Sequence, residues 1–196
     1  HCGATGCLLA FASTDLVFDG RRGNYSELDQ VNPINRYGEH KCEAEQVIRE
    51  RCPQALILRL PLMFGQGLYR PSPLQQWLTR ITAGGTLYGF ADELRSSVDY
   101  AAAAEGIATL IGRVRGQTLH LGGLETLSRL HLMRAAAQAF GLDPDAVESR
   151  LQADVPTRAA RPRDVSLDSR QARLLGYRTP VLTDALRQMV AGNEVL

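Results

Sequence analysis

The chain has 196 residues, of which 44% are hydrophobic and 22% charged, and its formal net charge is +1. These values are typical of a globular protein with one domain of good size, or one domain with a small lobe. The near-neutral charge argues against nucleic acid or an anionic membrane as a partner. No apolar run reaches the roughly 18 residues of a membrane-spanning helix, so we expect no membrane insertion.

The four cysteines lie at positions 2, 7, 42 and 52. None of them forms a Cys-x-x-Cys pair, and no histidine stands at a zinc-ligand spacing, so the pattern predicts reduced thiols and no metal site. The first fifteen residues lack the basic segment and long apolar run of a signal peptide. Together these features predict a cytoplasmic protein.

The first predicted strand is the apolar run CLLAFA at 7–12, which ends in the polar residues Ser13, Thr14 and Asp15. A loop rich in glycine, asparagine, aspartate and proline follows at 19–33. Loops of this length are uncommon in compact domains and are often functional.

A helix is predicted to begin at Asn32-Pro33, because asparagine caps helix N-termini and proline suits the first helical position. It should end near Cys52, before Pro53. The apolar run ALILRL at 55–60 predicts a second buried strand. Two buried strands separated by a helix indicate a parallel pair with a helical crossover.

The second half of the chain alternates between helical and strand patterns. Asp99 is a typical helix cap, and Thr126 or Ser128 can cap a later helix that Gly141 ends. A polar, proline-bearing stretch is expected to form a surface loop at 151–167. The remaining predicted elements are helices at 73–83, 100–111, 126–140, 168–175 and 182–191, and strands near Leu87 and within QTLHLGG at 117–123.

Lys41 is the only lysine in the sequence, and Tyr37 precedes it by four positions. Residues four apart lie on one face of a helix, and the predicted apolar stripe runs through Ile34, Tyr37, Lys41, Ala44 and Ile48. An ammonium beside a phenol favours the phenolate. Such a tyrosine can exchange a proton with a carbonyl or alcohol oxygen while a cofactor exchanges hydride. The bland alternative is that Lys41 extends along its stem into solvent.

A hydroxyl that orients the same substrate oxygen would complete this set. Ser13 and Thr14 are the candidates, because ligands of open α/β sheets bind at the carboxyl ends of strands.

The chain contains a series of motifs in one order: Ser13-Thr14-Asp15, Val17-Phe18-Asp19-Gly20, Tyr25, Glu27, Asp29, Pro33, Tyr37-Gly38, Lys41 and Glu45. In this order they resemble the extended short-chain dehydrogenase/reductases, and within them the dTDP-4-dehydrorhamnose reductase branch. The later half, from RSSVDY at 95–100 onwards, resembles the sugar-nucleotide-binding lobe of the same group.

The resemblance implies an α/β fold: the C-terminal part of a Rossmann-like, doubly wound parallel sheet plus a small α/β substrate-binding lobe. Residues 1–64 would form the partial Rossmann-like core with the catalytic helix. Residues 65–196 would form mainly the substrate-binding lobe, with 95–123 returning to the core sheet.

The resemblance also implies the catalytic roles. Tyr37 would be the catalytic acid, and Lys41 would lower its pKa and bind the nicotinamide ribose. Thr14 would orient the substrate oxygen, with Ser13 as the second choice and as a cofactor contact.

The remaining implied contacts concern cofactor and substrate. The segment Leu60-Pro61-Leu62 would border the nicotinamide, and Asp15, Val17 and Arg95 would face the substrate. For Arg95, an ordinary surface position is an equal alternative. Asp99 fits a helix cap better than a ligand contact.

The implied activity is reduction of a 4-keto nucleotide sugar by NADPH or NADH. Two alternatives stay open: an epimerase or dehydratase acting on a nucleotide sugar, and a non-catalytic nucleotide-binding regulatory subunit. The implied partner is the nucleotide sugar, with no nucleic acid or membrane, and a homodimer is compatible with the family.

The chain departs from the family in one respect. The tetrapeptide GATG at 3–6 is preceded by no strand and followed by a predicted strand, so it does not match the strand, glycine-rich turn and helix that bind pyrophosphate. We therefore expect that this chain lacks the glycine-rich half, and the choice between NAD and NADP stays open.

Overall fold

The structure is a computed structural model, and it describes residues 2–67, 69–156 and 158–192. None of the helices in these ranges is long and apolar enough to cross a bilayer. The helices are α1 Cys2–Thr5, α2 Arg36–Arg51, α3 Pro73–Thr82, α4 Tyr100–Leu110, α5 Arg129–Ala139, α6 Arg170–Leu174 and α7 Leu182–Ala191. The strands are β1 Ala10–Thr14, β2 Leu56–Leu60, β3 Met63–Phe64, β4 Leu87–Phe90, β5 Leu94–Arg95, β6 Val98–Asp99, β7 Thr118–His120, β8 Leu127–Ser128 and β9 Val147–Arg150.

The central sheet is parallel and has the order β1-β2-β7. Helix α2 connects β1 to β2, which confirms the predicted parallel pair with a helical crossover. Strand β2 lies in the middle and all five of its residues are buried. Strand β7, from the later half of the chain, pairs with β2 and completes this sheet. The predicted α/β class with parallel strands is confirmed.

The two faces of the sheet carry different chemistry, because successive side chains of a strand point to opposite faces. Leu56, Leu58 and Leu60 belong to an apolar cluster that also contains Leu119 and Tyr177. Full burial of one such side chain stabilises the fold by about 1.5–3 kcal/mol. The other face bears Arg59, which is directed towards α2. The sheet is therefore apolar on one face and partly polar on the face that α2 covers.

A second core lies among α3, α5 and α7. The stripe Leu74 and Leu78 of α3 packs there with Leu132 of α5 and Leu186 of α7. Beside it, β4 pairs in parallel with β9. The short pairs β3–β6 and β5–β8 connect this region to the central sheet.

Helix α2 begins later than the sequence predicted. Its N-cap is Asn35, whose side-chain oxygen accepts a hydrogen bond of 2.9 Å from the Gly38 amide. The predicted cap, Asn32, instead donates its backbone N–H to Val17 (2.8 Å) and its side-chain amide to Asp19 (3.2 Å). The prediction of a helix start at Asn32-Pro33 is therefore wrong, because both groups of Asn32 are bound within the preceding loop.

Strand β1 also differs from its prediction, since it spans Ala10–Thr14 and not 7–12. Its bounds follow the register with β2, in which Ala10 pairs with Leu56 and Thr14 with Leu60. Hydrogen bonding to β2, and not the hydrophobicity of the run, decides where the strand lies. As a result, the hydroxyl residues 13 and 14 belong to the strand.

The segment 151–167 was expected to be a surface loop, and its last part is not. Val165 and Leu167 are buried, and Tyr25 forms an isolated bridge with Leu167. The Tyr25 amide donates to the Ser166 carbonyl at 2.8 Å. Residue 157 lies outside the described residues. The expectation is wrong at 165–167 because this part pairs with the loop that follows β1.

Gly23 shows how closely these two segments pack. Its φ is +76°, and a Cβ added there would lie 2.2 Å from a carboxylate oxygen of Asp164. Only glycine fits both the conformation and the space. The loop after β1 is thus packed directly against the segment that contains Asp164.

Gly38 makes the corresponding contact for α2, since an added Cβ would lie 2.2 Å from the Leu16 carbonyl oxygen and 2.8 Å from Cβ of Pro33.

Replacement of Gly38 tests this contact. In an unhindered helix, replacing glycine by alanine raises the free energy of unfolding by about 1 kcal/mol. We expect Gly38→Ala instead to lower the free energy of unfolding by about 1–3 kcal/mol, because α2 must move away from Leu16. Urea unfolding measures this change. The exposed neighbour offers a control, Glu39→Ala, which should stay within about 0.5 kcal/mol of the parent. A more stable Gly38→Ala protein would show that the contact with Leu16 is absent.

Candidate active site

The hydroxyl residues at the end of β1 face different surroundings. Thr14 Oγ1 donates to a carboxylate oxygen of Asp15 (3.1 Å) and accepts from the Leu16 amide (3.2 Å). The Ser13 hydroxyl donates to Glu45 Oε1 at 2.5 Å, on the α2 side of the sheet. Because Ser13 is buried and engaged by Glu45, the geometry does not favour it as a cofactor contact. Thr14 is the hydroxyl that closes the strand at the carboxyl edge.

Lys41 lies against β1. Its Nζ donates to the Ala12 carbonyl oxygen at 2.7 Å. It stands 4.8 Å from the ring centroid of Phe11 and 5.8 Å from that of Tyr37. The side chain is half-buried, so it neither enters an apolar core nor extends freely into solvent. The ammonium is held against the middle of β1, near the ring of Tyr37 one turn earlier on α2.

Tyr37 is exposed over 54% of its surface and does not face a core. The predicted apolar stripe is therefore wrong at Ile34 and Tyr37, which are exposed, whereas its later members Lys41, Ala44 and Ile48 are half-buried. The buried residues of α2 are Gly38 and Glu45, and an apolar pattern cannot reveal that a glycine and a carboxylate face inward. The tyrosine instead lines an open cleft.

This cleft has a volume of about 340 Å³. Tyr37 and Leu16 both line it, and Leu16 is two residues beyond Thr14. The contact of Gly38 with Leu16 places the start of α2 directly against the turn that follows Thr14. The full lining is Leu16, Asn35, Tyr37, Arg95, Arg158, Ala159, Ala160, Arg161 and Pro162.

The structure also brings Leu60-Pro61-Leu62 to this edge. Leu60 pairs with Thr14 in the register of the two strands. Leu60 and Pro61 are buried and Leu62 is half-buried. The segment lies beside the carboxyl end of β1, which is where a ligand of a parallel α/β sheet is expected.

Asp15 and Arg95, both predicted to face the substrate, contact each other. Arg95 NH1 lies 2.8 Å from Asp15 Oδ2, and Arg95 NH2 lies 3.3 Å from Glu93 Oε1. Burial raises the pKa of Asp15, and the Arg95 guanidinium opposes that shift. Arg95 is buried, so the alternative of an ordinary surface arginine is wrong. It lines the Tyr37 cleft, and its Nε has no hydrogen-bond partner among the described residues.

Val17 is fully buried in an apolar cluster with Phe18, Tyr25, Val165 and Leu167. Its side chain packs between the loop after β1 and the segment 165–167, so the geometry does not favour a direct substrate contact. Asp99, in contrast, caps α4 as predicted: its side chain accepts from the Ala102 amide at 2.8 Å.

Sequence reasoning missed a row of polar side chains that crosses the sheet. Ser13, Arg59 and His120 are register partners on β1, β2 and β7. Arg59 binds Glu45 through Nε (3.0 Å) and NH2 (2.8 Å), and its NH1 lies 3.4 Å from His120 Nε2. A signal existed in the sequence, because an arginine inside the apolar strand LILRL must find a buried partner.

Both titratable partners of Arg59 respond to it. Burial alone would raise the pKa of Glu45, but hydrogen bonds and charge from Arg59, with Ser13 and Arg49, lower it. Burial, reinforced by Arg59, lowers the pKa of His120 to about 4. His120 is therefore neutral at pH 7, with Nε2 accepting from Arg59 and Nδ1 donating to the Tyr25 carbonyl at 3.0 Å.

A second cavity, of about 250 Å³, lies between α3, β4 and α5. The Arg129 guanidinium lies 5.5 Å from the Trp77 ring centroid, and that of Arg161 lies 5.5 Å from Phe90. Both arginines also approach Glu93, at 3.8 and 3.3 Å. Arg161 lines this cavity and the Tyr37 cleft as well, so the two are neighbours. The lining is Trp77, Arg80, Thr86, Leu87, Tyr88, Phe90, Arg129, Met133 and Arg161.

The basic cluster RAARPR at 158–163 belongs to the expected surface loop and is largely exposed, with only Pro162 buried. Arg158, Arg161 and Pro162 line the Tyr37 cleft. The cluster was judged by composition, and its placement over the cleft depends on the pairing of 164–168 with the loop after β1.

The chain offers only part of a dinucleotide site. Lys41 and Tyr37 fit the nicotinamide riboside end, since they bring an amine fixed on β1 and a hydroxyl to one face of α2. Leu60-Pro61-Leu62 follows β2, next to the end of β1. GATG at 3–6 lies in and after the short helix α1, ahead of β1, so it does not form a strand, turn and helix. In the described ranges no group of histidine, cysteine, aspartate or glutamate side chains could hold a metal ion.

A parallel sheet with a helical crossover is a Rossmann-like architecture, and a tyrosine and a lysine four positions apart on that helix are typical of the short-chain dehydrogenase/reductases. The model of the RmlD substrate binding domain matches residues 1–194. The chain belongs to this family, within the extended short-chain dehydrogenase/reductases, and the resemblance inferred from the sequence is confirmed.

Several relatives align with most of the chain. The probable low-salt glycan biosynthesis reductase Agl14 of Haloferax volcanii is 32% identical over 184 residues, which are 91% of this chain and 61% of the relative. The dTDP-4-dehydrorhamnose reductase of Mycobacterium tuberculosis is 30% identical over 187 residues, 92% of this chain and 60% of the relative. Methionine adenosyltransferase 2 subunit beta of Danio rerio is 49% identical over 63 residues, 32% of this chain and 20% of the relative. The chain thus spans less than two thirds of these relatives.

Solved structures show the same fold. The dTDP-4-dehydrorhamnose reductase of Bacillus anthracis, in complex with NADP, superimposes with a TM-score of 0.89 at 23% identity, covering 97% of this chain and 68% of that one. The dTDP-glucose 4,6-dehydratase DesIV of Streptomyces venezuelae, with NAD bound, gives a TM-score of 0.77 at 26% identity, covering 97% and 61%. The expected Rossmann-like fold is confirmed.

The lowered pKa of His120 predicts a pH-dependent stability. An unfolded histidine titrates near 6.5 and the folded one near 4, so the folded chain binds fewer protons between these values. The contribution is fully present above pH 6.5 and is lost as the pH falls towards 4, by about 3 kcal/mol. Urea unfolding at pH 7 and pH 4.5 measures this loss.

The control compares two histidines. His120→Gln should flatten the pH dependence between pH 6.5 and 4.5, whereas His40→Gln, at an exposed position of α2, should keep the slope of the parent. Equal slopes in all three proteins would contradict the assignment of a buried neutral His120.

Proposed function

We propose that this chain carries the catalytic helix and the substrate-binding part of a reductase that converts a 4-keto nucleotide sugar to the alcohol with NADPH or NADH. One observation carries the proposal. Tyr37 lines a cleft with Leu16, two residues after Thr14, and Lys41 stands one helical turn later on α2, bound to the Ala12 carbonyl of β1. The reductases among the relatives, and the structure of one of them with NADP, support it.

In the proposed reaction, each side chain either transfers a proton, stabilises charge or orients the substrate. The nicotinamide cofactor, when bound, supplies a hydride to the keto carbon. The Tyr37 hydroxyl donates its proton to the oxygen that becomes the alcohol. Lys41, fixed by the Ala12 carbonyl, stabilises the phenolate that remains. The Thr14 hydroxyl, which donates to Asp15 in the structure, would turn its proton to the same substrate oxygen and orient it.

The arrangement of the two cavities supports a nucleotide sugar as substrate. Trp77, Tyr88 and Phe90 offer aromatic surface for a planar base. Arg161 stands on the wall between this cavity and the Tyr37 cleft, and Arg129 stands opposite over Trp77. Guanidinium groups bind phosphate well. The base would thus occupy the aromatic cavity, the diphosphate would meet the arginines, and the sugar would reach Tyr37.

Arg95 would act here in a supporting role. It is held by Asp15 and Glu93, and Glu93 also approaches Arg129 and Arg161. The cluster fixes the directions of the arginines before a ligand arrives, which reduces the entropy lost on binding. Direct contact of Arg95 with a phosphate would use its unpartnered Nε.

A second candidate is a non-catalytic, nucleotide-binding subunit. The observation that favours it is the 49% identity with methionine adenosyltransferase 2 subunit beta of Danio rerio over 63 residues. Nucleotide binding without reduction of a keto sugar would support this candidate over the reductase.

An epimerase or dehydratase would use the same tyrosine and lysine and would convert the nucleotide sugar without net consumption of NADPH. Cytoplasmic location and a homodimer stay predictions.

Replacement of Tyr37 tests the reductase. In the full-length enzyme, Tyr37→Phe should lower kcat for NADPH oxidation with a 4-keto nucleotide sugar by about 10²–10⁴-fold, because the proton donor is lost. Stopped assays of sugar reduction measure the rate. Tyr69→Phe, at a position exposed over 97% of its surface, is the control and should retain full activity. Unchanged turnover in Tyr37→Phe would rule out the proposed mechanism.

The aromatic cavity is tested by nucleotide binding. Trp77→Leu should weaken binding of dTDP by about 10-fold, the equivalent of about 1.4 kcal/mol. The substitution removes both base stacking and the ring against which the Arg129 guanidinium packs. Isothermal titration calorimetry measures the affinity. Tyr69→Phe again serves as the control. Equal affinities for dTDP in Trp77→Leu and the parent would show that the nucleotide binds elsewhere.

A further inference from the structure

The carboxylate of Glu45 is fully buried and accepts hydrogen bonds on both oxygens. Oε1 accepts from Ser13 of β1 (2.5 Å) and from Arg59 Nε of β2 (3.0 Å). Oε2 accepts from Arg59 NH2 (2.8 Å) and from Arg49 NH2 of α2 (2.7 Å). An ionised carboxylate has about four acceptor positions, so this one is saturated.

Glu45 stands one helical turn after Lys41, on the same side of α2. Lys41 binds the carbonyl of Ala12, and Glu45 binds the hydroxyl of Ser13, the next residue of β1. Two successive residues of the strand are therefore bound by two residues one turn apart on the helix. This double attachment sets both the rotation of α2 and its position along its axis.

We propose that Glu45 is a positioning residue that holds the Lys41 ammonium at the Ala12 carbonyl of β1. The consequence for catalysis rests on the function proposed above, whereas the placement of Lys41 does not. Ser13 belongs to this assembly as the strand's attachment point, which gives its engaged hydroxyl a role.

The chemistry of the cluster favours positioning over simple stabilisation. Burying a carboxylate with a guanidinium is often no more stabilising than packing apolar side chains of similar volume, whereas it specifies direction. Arg59 is itself fixed by His120 Nε2 and lies 5.1 Å from the ring centroid of Phe18. The carboxylate of Glu45 thus meets donors whose directions are already set.

The test uses the fact that Lys41 is the only lysine of the 196-residue chain. Lysine labelled with ¹³C at Cε gives one Lys41 signal. In the parent, the rings of Phe11 and Tyr37 should displace this signal from the position of free lysine. In Glu45→Gln, which keeps the side-chain volume and loses the charge, we expect more than half of this displacement to disappear.

Glu43→Gln is the matched control, with the same charge change at an exposed position of α2, and its Lys41 signal should match the parent. Circular dichroism confirms that each variant is folded at the temperature used. Should Glu45→Gln fail to fold, Ser13→Ala is the second variant, because it removes one of the four hydrogen bonds of the Glu45 carboxylate. Its Lys41 signal should also move towards the position of free lysine, by a smaller amount than expected for Glu45→Gln. A parent-like Lys41 signal in the folded variant would overturn the proposal.

An activity measurement separates this inference from the proposed function. In the full-length enzyme, Glu45→Gln should lower kcat about 10-fold with little change in KM for the nucleotide sugar, because Lys41 is displaced while the substrate contacts remain. Glu43→Gln should change neither constant. If Tyr37→Phe retained its turnover, the reductase would be refuted, yet the Lys41 signal would still decide the role of Glu45.

Discussion

The saturated carboxylate of Glu45 is the interaction on which the arrangement of the sheet and helix α2 depends. It joins β1, β2 and α2 at one point, and Arg59 extends the contact to His120 of β7. Loss of one partner from such a buried pair costs about 3–5 kcal/mol, since the remaining charge stays uncompensated. That magnitude is comparable to a large part of a domain's net stability. The face of the sheet that α2 covers therefore contains a buried ionic contact, whereas the opposite face packs against an apolar cluster.

A second buried carboxylate, that of Glu93, plays a similar part further along the chain. It approaches Arg95, Arg129 and Arg161, and Arg95 reaches Asp15 directly after β1. The end of β1 is thereby connected to the arginines that line both cavities. Glu45 orients the lysine on one side of the strand end and Glu93 orients the arginines on the other. The candidate site lies between these two fixed anions.

The exposure of Tyr37 contrasts with the burial of the two anions that orient its neighbours. Residues that position others are buried and fully bonded, whereas the phenol that would exchange a proton lies in an open cleft. A proton donor must reach its substrate, so exposure in the absence of a ligand is compatible with catalysis. The close contact of Gly38 with Leu16 keeps this exposed tyrosine beside the strand end.

The sequence alone determined the local elements and the family. Caps, glycines and apolar runs marked β2, α3, α4 and α7 within a residue or two, and the order of motifs around Tyr37 and Lys41 identified the extended short-chain dehydrogenase/reductases. These features are local, because a cap or a period of 3.6 is decided by neighbouring residues.

Only the tertiary structure decided that the Glu45 carboxylate is buried, where β1 lies and which partners Arg59 finds. Glu45 and Arg59 are 14 positions apart, and Arg59 and His120 are 61 apart. No periodicity connects residues at such separations, since they meet only after the strands have paired in register. For the same reason Arg161 entered the site only through the pairing of its segment with the loop after β1.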